Sequence, residues 1–265
     1  MKILERNRVY QAVILAGGFG TRFSEETSRI PKPMIEIGGM PILWHIMKNY
    51  SHHGINDFII CLGYKGNIIK QFFDDYAMLN SDLRIDLEAK ETVVLTSRSE
   101  PWKITLVDTG LNSMTGGRLA TVGTYLEPNK PFLMTYGDGV GNVDISSLIK
   151  YHIRHGKKAT VTAVTPPGRF GVLDIVEGSV HGFREKFASD QYKINAGFFV
   201  LEKSVLDYIE ASDTVWEKEP MEKLAQDGEL MAWDHTGFWM PMDTLRDKQS
   251  LEQKWFSGSA PWKVW

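Results

Sequence analysis

Cysteine is almost absent from this chain, in which Cys61 is the one thiol among 265 residues. A single cysteine excludes an intramolecular disulfide framework and any zinc site built on several cysteines. Cys61 lies in the apolar run Phe58-Ile59-Ile60-Cys61-Leu62. We therefore interpret it as a small core residue rather than a nucleophile.

The chain also lacks long apolar runs and a large excess of charge of either sign. No apolar stretch approaches the ~18 residues of a membrane span, and residues 1–8 lack the apolar core of a signal peptide. We therefore expect a cytoplasmic protein. The 30 Lys and Arg against 33 Asp and Glu give a net charge of −3, so no overall field attracts a nucleic acid or an anionic membrane. We expect neither as a partner.

Internal repeats, low-complexity tracts and Pro/Gly/Ser-rich linkers are missing as well, so nothing in the composition divides the chain. We predict one domain over residues 1–265. From about residue 205 to the end the pattern is mostly helical, with a strand-like break near Met231 to His235, and we interpret this region as a C-terminal helical extension of the same domain. Several tryptophans near the C-terminus predict that it packs on the body of the fold or on a neighbouring subunit; they are Trp233, Trp239, Trp255, Trp262 and Trp265.

Strand and helix patterns alternate in the first part of the chain. Val13-Ile14-Leu15 predicts a strand, Pro41 to Tyr50 a helix that Gly54 ends, residues 58–62 a strand and residues 68–76 a helix. This order predicts an α/β fold with an open, mostly parallel sheet and helical crossovers. In such sheets ligands bind at the carboxyl ends of the strands. Further apolar, β-rich runs lie at 132–135, 159–164 and 197–201.

A glycine-rich turn follows the first strand, in Leu15-Ala16-Gly17-Gly18-Phe19-Gly20-Thr21-Arg22. Small residues there let backbone N–H groups approach an anion closely. The dinucleotide fingerprint and the P-loop are both excluded, because Phe23 replaces the third glycine and Thr21-Arg22 replaces Lys-Ser/Thr. Arg22 follows the turn directly, and Lys32 lies in Pro31-Lys32-Pro33, where the prolines stiffen the backbone and favour an extended Lys32. The pattern indicates an anion site, although such a turn alone is also typical of a plain tight turn.

The stretch from Val13 to Met34 resembles the signature of sugar-1-phosphate nucleotidyltransferases. From about residue 10 to the end, the chain is similar to the glucose-1-phosphate cytidylyltransferases of that family. The narrower resemblance is carried by Ser24-Glu25-Glu26-Thr27, Pro41-Ile42-Leu43-Trp44-His45-Ile46-Met47, Thr105-Leu106-Val107-Asp108-Thr109-Gly110, Met114-Thr115-Gly116-Gly117-Arg118-Leu119, Tyr136-Gly137-Asp138-Gly139-Val140, Pro166-Pro167-Gly168-Arg169-Phe170-Gly171 and Pro241-Met242-Asp243-Thr244-Leu245-Arg246-Asp247-Lys248.

This resemblance implies a Rossmann-like, GT-A-like nucleotidyltransferase fold. It implies that CTP and α-D-glucose 1-phosphate react to CDP-glucose and pyrophosphate, by in-line attack of the sugar phosphate on the α-phosphorus. It also implies Mg²⁺ as cofactor, a homo-oligomer (a hexamer), and a product used in lipopolysaccharide O-antigen synthesis.

The resemblance also implies individual roles. Arg22, Lys32 and Asp138 would be catalytic, with Arg22 on the β- and γ-phosphates and Lys32 near the reacting centre. Asp138, after the apolar run 132–135, and Asp243, before a helix expected from Thr244, would ligate Mg²⁺; a turn role for the first and an N-cap for the second are the alternatives. The implied nucleotide-binding residues are Leu15, Ala16, Gly17, Gly18, Gly20, Thr21, Arg22, Ser113, Arg118 and Gly137.

Base choice has a physical interpretation. A guanidinium facing N3 and O2 of cytosine would favour CTP over UTP, because N3 of uracil carries a proton and would oppose a donor with a donor. Arg118, with Ser113 nearby, is the residue that the resemblance places there.

On the sugar side the resemblance implies Lys186 on the sugar phosphate, with Glu185 and Asn195 on the glucose hydroxyls. Two residues depart from the family pattern: Phe187 stands where proline is expected, and Ala196 where glycine is expected. Both lie near the acceptor sugar, so a different hexose 1-phosphate stays open as the substrate.

The sequence also bears on two other function classes. A glycosyltransferase that uses a nucleotide sugar commonly holds its metal with Asp-x-Asp, and this sequence contains no such pair. A non-catalytic nucleotide sensor predicts loss of the catalytic charges, yet Arg22, Lys32, Asp138 and Asp243 are all present.

Overall fold

The computed structural model describes residues 10–166, 171–176, 179–185 and 192–265, and of Arg22, Ser24, Glu25 and the segments 171–176 and 179–185 it describes the backbone alone. Within these ranges the strands are β1 (Gln11–Leu15), β2 (Glu36–Ile37), β3 (Met40–Pro41), β4 (Asp57–Leu62), β5 (Ser81–Asp86), β6 (Glu91–Ser97), β7 (Lys103–Asp108), β8 (Phe132–Tyr136), β9 (Gly139–Gly141), β10 (Ala159–Val164), β11 (Gly171–Val176), β12 (Ser179–Glu185), β13 (Ile194–Leu201), β14 (Leu230–Asp234) and β15 (Trp239–Pro241).

The α-helices in the same ranges are α1 (Ser24–Thr27), α2 (Ile42–His52), α3 (Gly66–Leu79), α4 (Thr115–Val122), α5 (Ile145–His155), α6 (Glu219–Gln226) and α7 (Leu245–Phe256). Short 3₁₀ helices cover Thr21–Phe23, Lys32–Met34, Gly123–Tyr125 and Lys203–Tyr208. None of the helices described is both long enough and apolar enough to cross a membrane.

Seven strands form the central sheet in the order β14-β10-β13-β8-β1-β4-β7. Strand β13 runs antiparallel to its neighbours β10 and β8, and the remaining neighbours run parallel. The predicted open, mostly parallel α/β sheet is therefore confirmed. The strand expected near Met231 is β14, which extends the sheet beside β10, so the C-terminal region adds a strand to the central sheet as well as helices.

The inner strands are buried on both faces, as is usual for parallel strands covered by helices. In β1, Ala12 and Ile14 pack into one apolar cluster, while Val13 and Leu15 pack into the cluster on the opposite face. Cys61 belongs to the second cluster, and burial raises the pKa of its thiol to about 12. This environment confirms its interpretation as a core residue.

The sequence analysis did not predict three of the strand pairings in the structure. Strand β7 forms one edge of the central sheet beside β4. Strands β5 and β6 form a separate antiparallel hairpin. The three-residue strands β9 and β15 pair with each other, and this last pair positions the functional site described below.

The C-terminal segment docks on the body of its own chain, against α2. Trp262 is fully buried, and its indole N–H donates to Nδ1 of His45 at 3.4 Å. Trp255 and Trp265 also pack on the His45 ring, whose Nε2 bonds to the carbonyl of Ile37 at 2.8 Å. Burial lowers the pKa of His45 to about 4. The imidazole is therefore a neutral part of the core.

Candidate active site

A cavity of about 670 Å³ opens at the carboxyl end of β1 and β8, where the topology predicts a ligand site. Its wall contains most of the residues that the sequence analysis selected for the nucleotide, the metal and the sugar. These are Leu15, Ala16, Gly17, Gly18, Gly20, Thr21, Lys32, Ser113, Arg118, Gly137, Asp138, Asn195 and Asp243.

Other selected residues are described in part or not at all. Arg22 lies in the 3₁₀ helix Thr21–Phe23 beside the cavity, and its backbone alone is described. Glu185 is the last residue of β12, again with its backbone alone. Lys186 and the departure at Phe187 lie outside the described residues. Their roles stay predictions.

The ammonium of Lys32 brings two distant carboxylates together at the cavity wall. Its Nζ donates to Oδ2 of Asp138 at 2.6 Å and to Oδ1 of Asp243 at 2.7 Å. Lys32 is 8% exposed, whereas the side chains of Asp138 and Asp243 are 29% and 17% exposed, so these charge-assisted bonds are partly shielded from water. The shared ammonium therefore holds the two carboxylates next to each other at one point of the cavity wall.

The pairing of β9 with β15 explains why residues so far apart in the sequence meet. Gly139 stands opposite Pro241 in this antiparallel pair. The backbone N–H of Met242 then donates to the carbonyl of Asp138 at 2.8 Å. Asp138 directly precedes one strand and Asp243 closely follows the other, so the ladder places both carboxylates at the same end.

Lys32 reaches the carboxylates from a compact turn. The sequence predicted an extended Lys32 because Pro33 follows it, and this is wrong: Lys32 begins the 3₁₀ helix Lys32–Met34, and Pro31 before it is the extended residue. Pro33 packs against Gly137, where an added Cβ would stand 3.1 Å from the proline Cγ. The close approach of Pro33 to Gly137 fixes Lys32 beside Asp138, the next residue.

The helix cap expected as the alternative role of Asp243 is held by its neighbour. Helix α7 begins at Leu245, one residue later than predicted, and its N-cap is Thr244. The Thr244 hydroxyl accepts from the N–H of Asp247, whose carboxylate accepts from the N–H groups of Asp243 and Thr244. This capping box fixes the backbone of Asp243 and leaves its carboxylate to face Lys32.

The glycine-rich turn needs its glycines for two different reasons. Gly20 has a positive φ of 64°, and a Cβ there would lie 2.7 Å from Cγ2 of Thr27, whose hydroxyl donates to the Gly20 carbonyl at 3.1 Å. Gly18 instead faces open space, with no atom within 4 Å of an added Cβ. An open cradle of this kind can admit a phosphate against the backbone.

The guanidinium of Arg118 is committed to protein acceptors. The side chain is 4% exposed, and burial lowers its pKa from the usual range. A Cβ on Gly17 or Gly63 would stand 2.2 or 2.5 Å from Nη1 of Arg118, so both glycines make room for this group. Its terminal nitrogens donate, over 2.8 to 3.2 Å, to the carbonyls of Leu62, Gly110, Gly17 and Leu111 and to the hydroxyl of Thr109.

Sequence reasoning missed a hydrogen-bonded group in the same cavity. Glu217 accepts from the hydroxyl of Thr115 at 2.6 Å and from the hydroxyl of Tyr136. Burial, together with the charge of Glu217, raises the pKa of Tyr136. Asn195 donates to the same tyrosine oxygen at 3.3 Å. Glu217 belongs to none of the motifs that carried the family resemblance, so no signal in the sequence marked it.

Ala196, which stands where the family pattern has glycine, lies between the apolar core and the cavity. Ala196 is 4% exposed and packs within the larger apolar cluster, although it also lines the cavity. Its carbonyl accepts from the indole N–H of Trp239 at 2.8 Å.

Comparison with known proteins agrees with the motifs. The family model described as "Nucleotidyl transferase" matches residues 11–244. The chain is 59% identical over 255 residues to a glucose-1-phosphate cytidylyltransferase of Salmonella typhi, covering 96% of this chain and 99% of that protein. It is 45% identical to a probable glucose-1-phosphate cytidylyltransferase of Bacillus subtilis, covering 96% and 100%.

Among solved structures, HddC from Yersinia pseudotuberculosis superposes with a TM-score of 0.69 at 24% identity, over 93% of this chain and 100% of that one. At that identity the likeness concerns the fold, and it confirms the nucleotidyltransferase fold that the sequence implied. Enzymes of this family typically use a divalent metal ion. By its family model, its relatives and its fold, this chain belongs to the nucleotidyl transferase family.

Proposed function

We propose that this enzyme transfers the cytidylyl group of CTP to α-D-glucose 1-phosphate, giving CDP-glucose and pyrophosphate. The observation that carries the proposal is the contact of Lys32 with both Asp138 and Asp243 beside an open glycine-rich turn. The two relatives above, at 59% and 45% identity, bear the name of this activity. Because the substrates carry most of the charge, the protein's task is to position and neutralise their phosphates.

The phosphates of CTP would lie along the glycine-rich turn. Gly18 leaves the space, and backbone N–H groups around it would donate to the phosphate oxygens. Lys32, held rigidly by Pro33 and the two carboxylates, would neutralise charge near the α-phosphorus. We propose Arg22, which follows the turn, as the cation for the β- and γ-phosphates of the leaving pyrophosphate.

Asp138 and Asp243 fit a magnesium site. Mg²⁺ prefers oxygen ligands and usually takes one or two carboxylates, completing its shell with phosphates and water. The two carboxylates meet that pattern, since both line the cavity and both contact Lys32 Nζ. When bound, the ion would neutralise phosphate charge and orient the reacting oxygens. Lys32 would then keep the carboxylates in place and share their charge.

For the acceptor sugar we propose Lys186 on the phosphate, with Glu185 and Asn195 on the glucose hydroxyls. Asn195 lies at the cavity wall, where its amide already bonds to Tyr136 and to the N–H of Gly197. Ala196 packs in the apolar core, so its methyl group is compatible with the same sugar.

For recognition of the base we propose an indirect role for Arg118, which fixes the loop to which it hydrogen-bonds. Among the described residues Nε finds no acceptor, whereas the terminal nitrogens are all bonded. The guanidinium would fix the loop carrying Leu111 and Ser113, and this loop would form the wall that the base meets. The family resemblance implied direct contact of Arg118 with cytosine. With only the Nε donor left, such a contact could consist of one hydrogen bond and not two.

The reaction is tested by pyrophosphate release with Mg²⁺, across four nucleoside triphosphates and several hexose 1-phosphates. We expect CTP with glucose 1-phosphate to give the highest kcat/KM. A higher value with another hexose 1-phosphate would reassign the sugar. Release of a nucleoside diphosphate from a nucleotide sugar, without pyrophosphate, would indicate the glycosyltransferase. Binding of nucleotide without turnover would indicate the sensor.

The role of Lys32 is tested by Lys32→Ala and Lys32→Gln. We expect kcat to fall at least ~100-fold, as for the loss of transition-state charge stabilisation. The matched control is Lys130→Ala, since Lys130 lies on the surface beside Glu127 and away from the cavity. Thermal unfolding of each variant checks that the fold is kept. Turnover close to that of the wild type would remove Lys32 from the catalytic set.

We also infer a homo-oligomer, a hexamer on the family resemblance, located in the cytoplasm. The hairpin of β5 and β6 supports an assembly, because Val93, Val94 and Leu95 on it are each about half exposed, and exposed apolar surface of this kind is typical of interfaces. Sedimentation of the purified chain measures the assembly, and a monomer at micromolar concentration would contradict the inference.

A further inference from the structure

Glu217 is a cavity-lining carboxylate that the proposed reaction does not use. It follows Trp216, which is fully buried in the apolar core, so the backbone on its N-terminal side is anchored. Its two oxygens contact different elements: one accepts from Thr115 at the start of α4, and the other from Tyr136 at the end of β8. The carboxylate therefore lies where the wall formed by α4 meets the wall formed by the sheet.

The Tyr136 hydroxyl has a fixed direction. The N–H of Gly197 donates to Oδ1 of Asn195 at 2.7 Å, so the amide nitrogen of Asn195 faces Tyr136 and donates to its oxygen at 3.3 Å. A hydroxyl has one proton to donate. With its oxygen already accepting, Tyr136 directs that proton to Glu217.

The Thr115 hydroxyl is oriented in the same way. Its oxygen accepts from the N–H of Trp216 at 2.9 Å, and its proton goes to Glu217 at 2.6 Å. Both neighbours of Glu217 are therefore donors. This is the arrangement that an ionised carboxylate requires, because it can only accept.

An ionised carboxylate with two oxygens keeps unused acceptor capacity toward the cavity, since each oxygen can take more than one hydrogen bond. A ligand group at this point must be a donor. Phosphate is excluded by charge and belongs near Lys32. Tyr136 and Asn195 lie on β8 and β13, on the far side of β1 from β7, and β7 leads into the loop with Ser113 that we assign to the base. Thr115 follows that loop, so Glu217 also borders the base region; we assign the carboxylate to a sugar hydroxyl because its other contact, Tyr136, is shared with Asn195, the residue proposed for the sugar.

We propose that Glu217 is a specificity-determining residue that accepts a hydrogen bond from a sugar hydroxyl of one substrate, either the ribose of CTP or the glucose of glucose 1-phosphate. This inference rests on the proposed function, because both sugars enter as substrates of that reaction. Thr115 and Tyr136 then act as positioning residues that fix the orientation of the carboxylate.

The test combines one substitution with deletion of single substrate hydroxyls. Glu217→Gln keeps the shape but replaces an accepting oxygen with a donating amide. We expect kcat/KM to fall ~10- to 100-fold, the range for a hydrogen bond to a charged group. The matched control is Glu219→Gln: Glu219 is exposed, as Glu217 is, but it does not line the cavity, and we expect no change there.

Each variant is then assayed with 2′-deoxy-CTP and 3′-deoxy-CTP, and separately with the 2-, 3-, 4- and 6-deoxy forms of glucose 1-phosphate. The hydroxyl that contacts Glu217 is the one whose removal is costly in the wild type and nearly neutral in Glu217→Gln, because the two losses are then the same interaction. Coupling with a ribose or with a glucose hydroxyl identifies the source.

Two results would overturn the inference. Equal losses with every analogue, with no coupling, would make Glu217 a structural residue. A changed preference between CTP and UTP without coupling to any hydroxyl would make it a reader of the base. Both results assume an active wild type. A wild type that releases no pyrophosphate from CTP and glucose 1-phosphate would instead refute the proposed function itself.

Discussion

Arg118→Met separates two roles for the most heavily hydrogen-bonded side chain of the cavity. Methionine keeps much of the aliphatic part of the arginine side chain and removes all of its N–H donors. If Arg118 reads the base, discrimination between CTP and UTP depends directly on its guanidinium. If Arg118 braces the loop that follows β7, the fold and the affinity for any nucleotide depend on it, and discrimination does not.

The size of the expected effect follows from the acceptors that would be left behind. The carbonyl of Leu62 also accepts from Thr109, and that of Gly17 also accepts from the N–H of Tyr64. The carbonyls of Gly110 and Leu111 have Arg118 as their donor within the described part of the chain.

An acceptor that loses its partner costs ~1–3 kcal/mol, and we take the lower end because this loop is exposed and water can replace the guanidinium. Two such carbonyls and some lost packing give about 2 to 3 kcal/mol. At ~2–4 °C per kcal/mol for a chain of this size, Tm should fall by about 5 to 10 °C.

The assay measures Tm and the kcat/KM values for CTP and UTP on the same preparations. If Arg118 holds the loop in place, Arg118→Met lowers Tm and raises KM for CTP and UTP in parallel. The ratio of the two kcat/KM values then changes less than about threefold. Arg154→Met is the control, since Arg154 is an exposed residue of α5 that does not line the cavity. An unchanged Tm with a CTP-to-UTP ratio that falls toward one would refute the brace and restore direct contact with the base.

Two further predictions concern the packing around the site. Because the pKa of His45 is lowered from 6.5 to about 4 by burial, the folded state favours the neutral ring; the stability this provides is complete above pH 6.5 and is lost as the pH falls toward 4. The loss should reach roughly 2 to 3 kcal/mol by pH 4.5. The free energy of unfolding of the wild type, measured by urea titration, should therefore fall by that amount relative to that of His45→Gln between pH 7 and pH 4.5; a difference independent of pH would refute it. Thr244→Ala should destabilise the protein by about 1 kcal/mol through loss of the helix cap. It should also raise the Mg²⁺ concentration needed for half-maximal activity, because Asp243 directly precedes the cap. Thr244→Ser should keep the stability and the metal requirement of the wild type, and an unchanged metal requirement in Thr244→Ala would show that the cap does not position Asp243.

The local parts of the site could be predicted from the sequence, because each depends on neighbours along the chain. The turn around Gly18 follows a strand of apolar residues, and Asp138 follows another, so the topology placed both at one edge of the sheet. Lys32 shows the limit of local rules: the proline after it favours an extended conformation, and packing of Pro33 on Gly137 overrides that preference.

The remaining parts depend on contacts between distant segments that leave no periodic signal. Strands β9 and β15 have three residues each, too few for alternation to mark a strand. Their pairing nevertheless decides that Asp243 meets Asp138. Glu217 was missed for the same reason, since its importance comes from Thr115 and Tyr136, which stand far from it in the sequence.

The distribution of charge in the cavity gives the substrates a direction. One part holds Lys32 between Asp138 and Asp243, a group with a net negative charge that becomes positive once the carboxylates hold a divalent ion, and with that ion and the open backbone beside Gly18 it attracts phosphate. Another part offers the carboxylate of Glu217, whose donors are already arranged, and it repels phosphate but accepts hydroxyl groups. A sugar phosphate that enters with its ends exchanged would set its phosphate against the Glu217 carboxylate and leave the metal-loaded wall without a phosphate, which is electrostatically unfavourable. The sign of the charge at each wall can therefore orient the substrates before the reacting atoms meet.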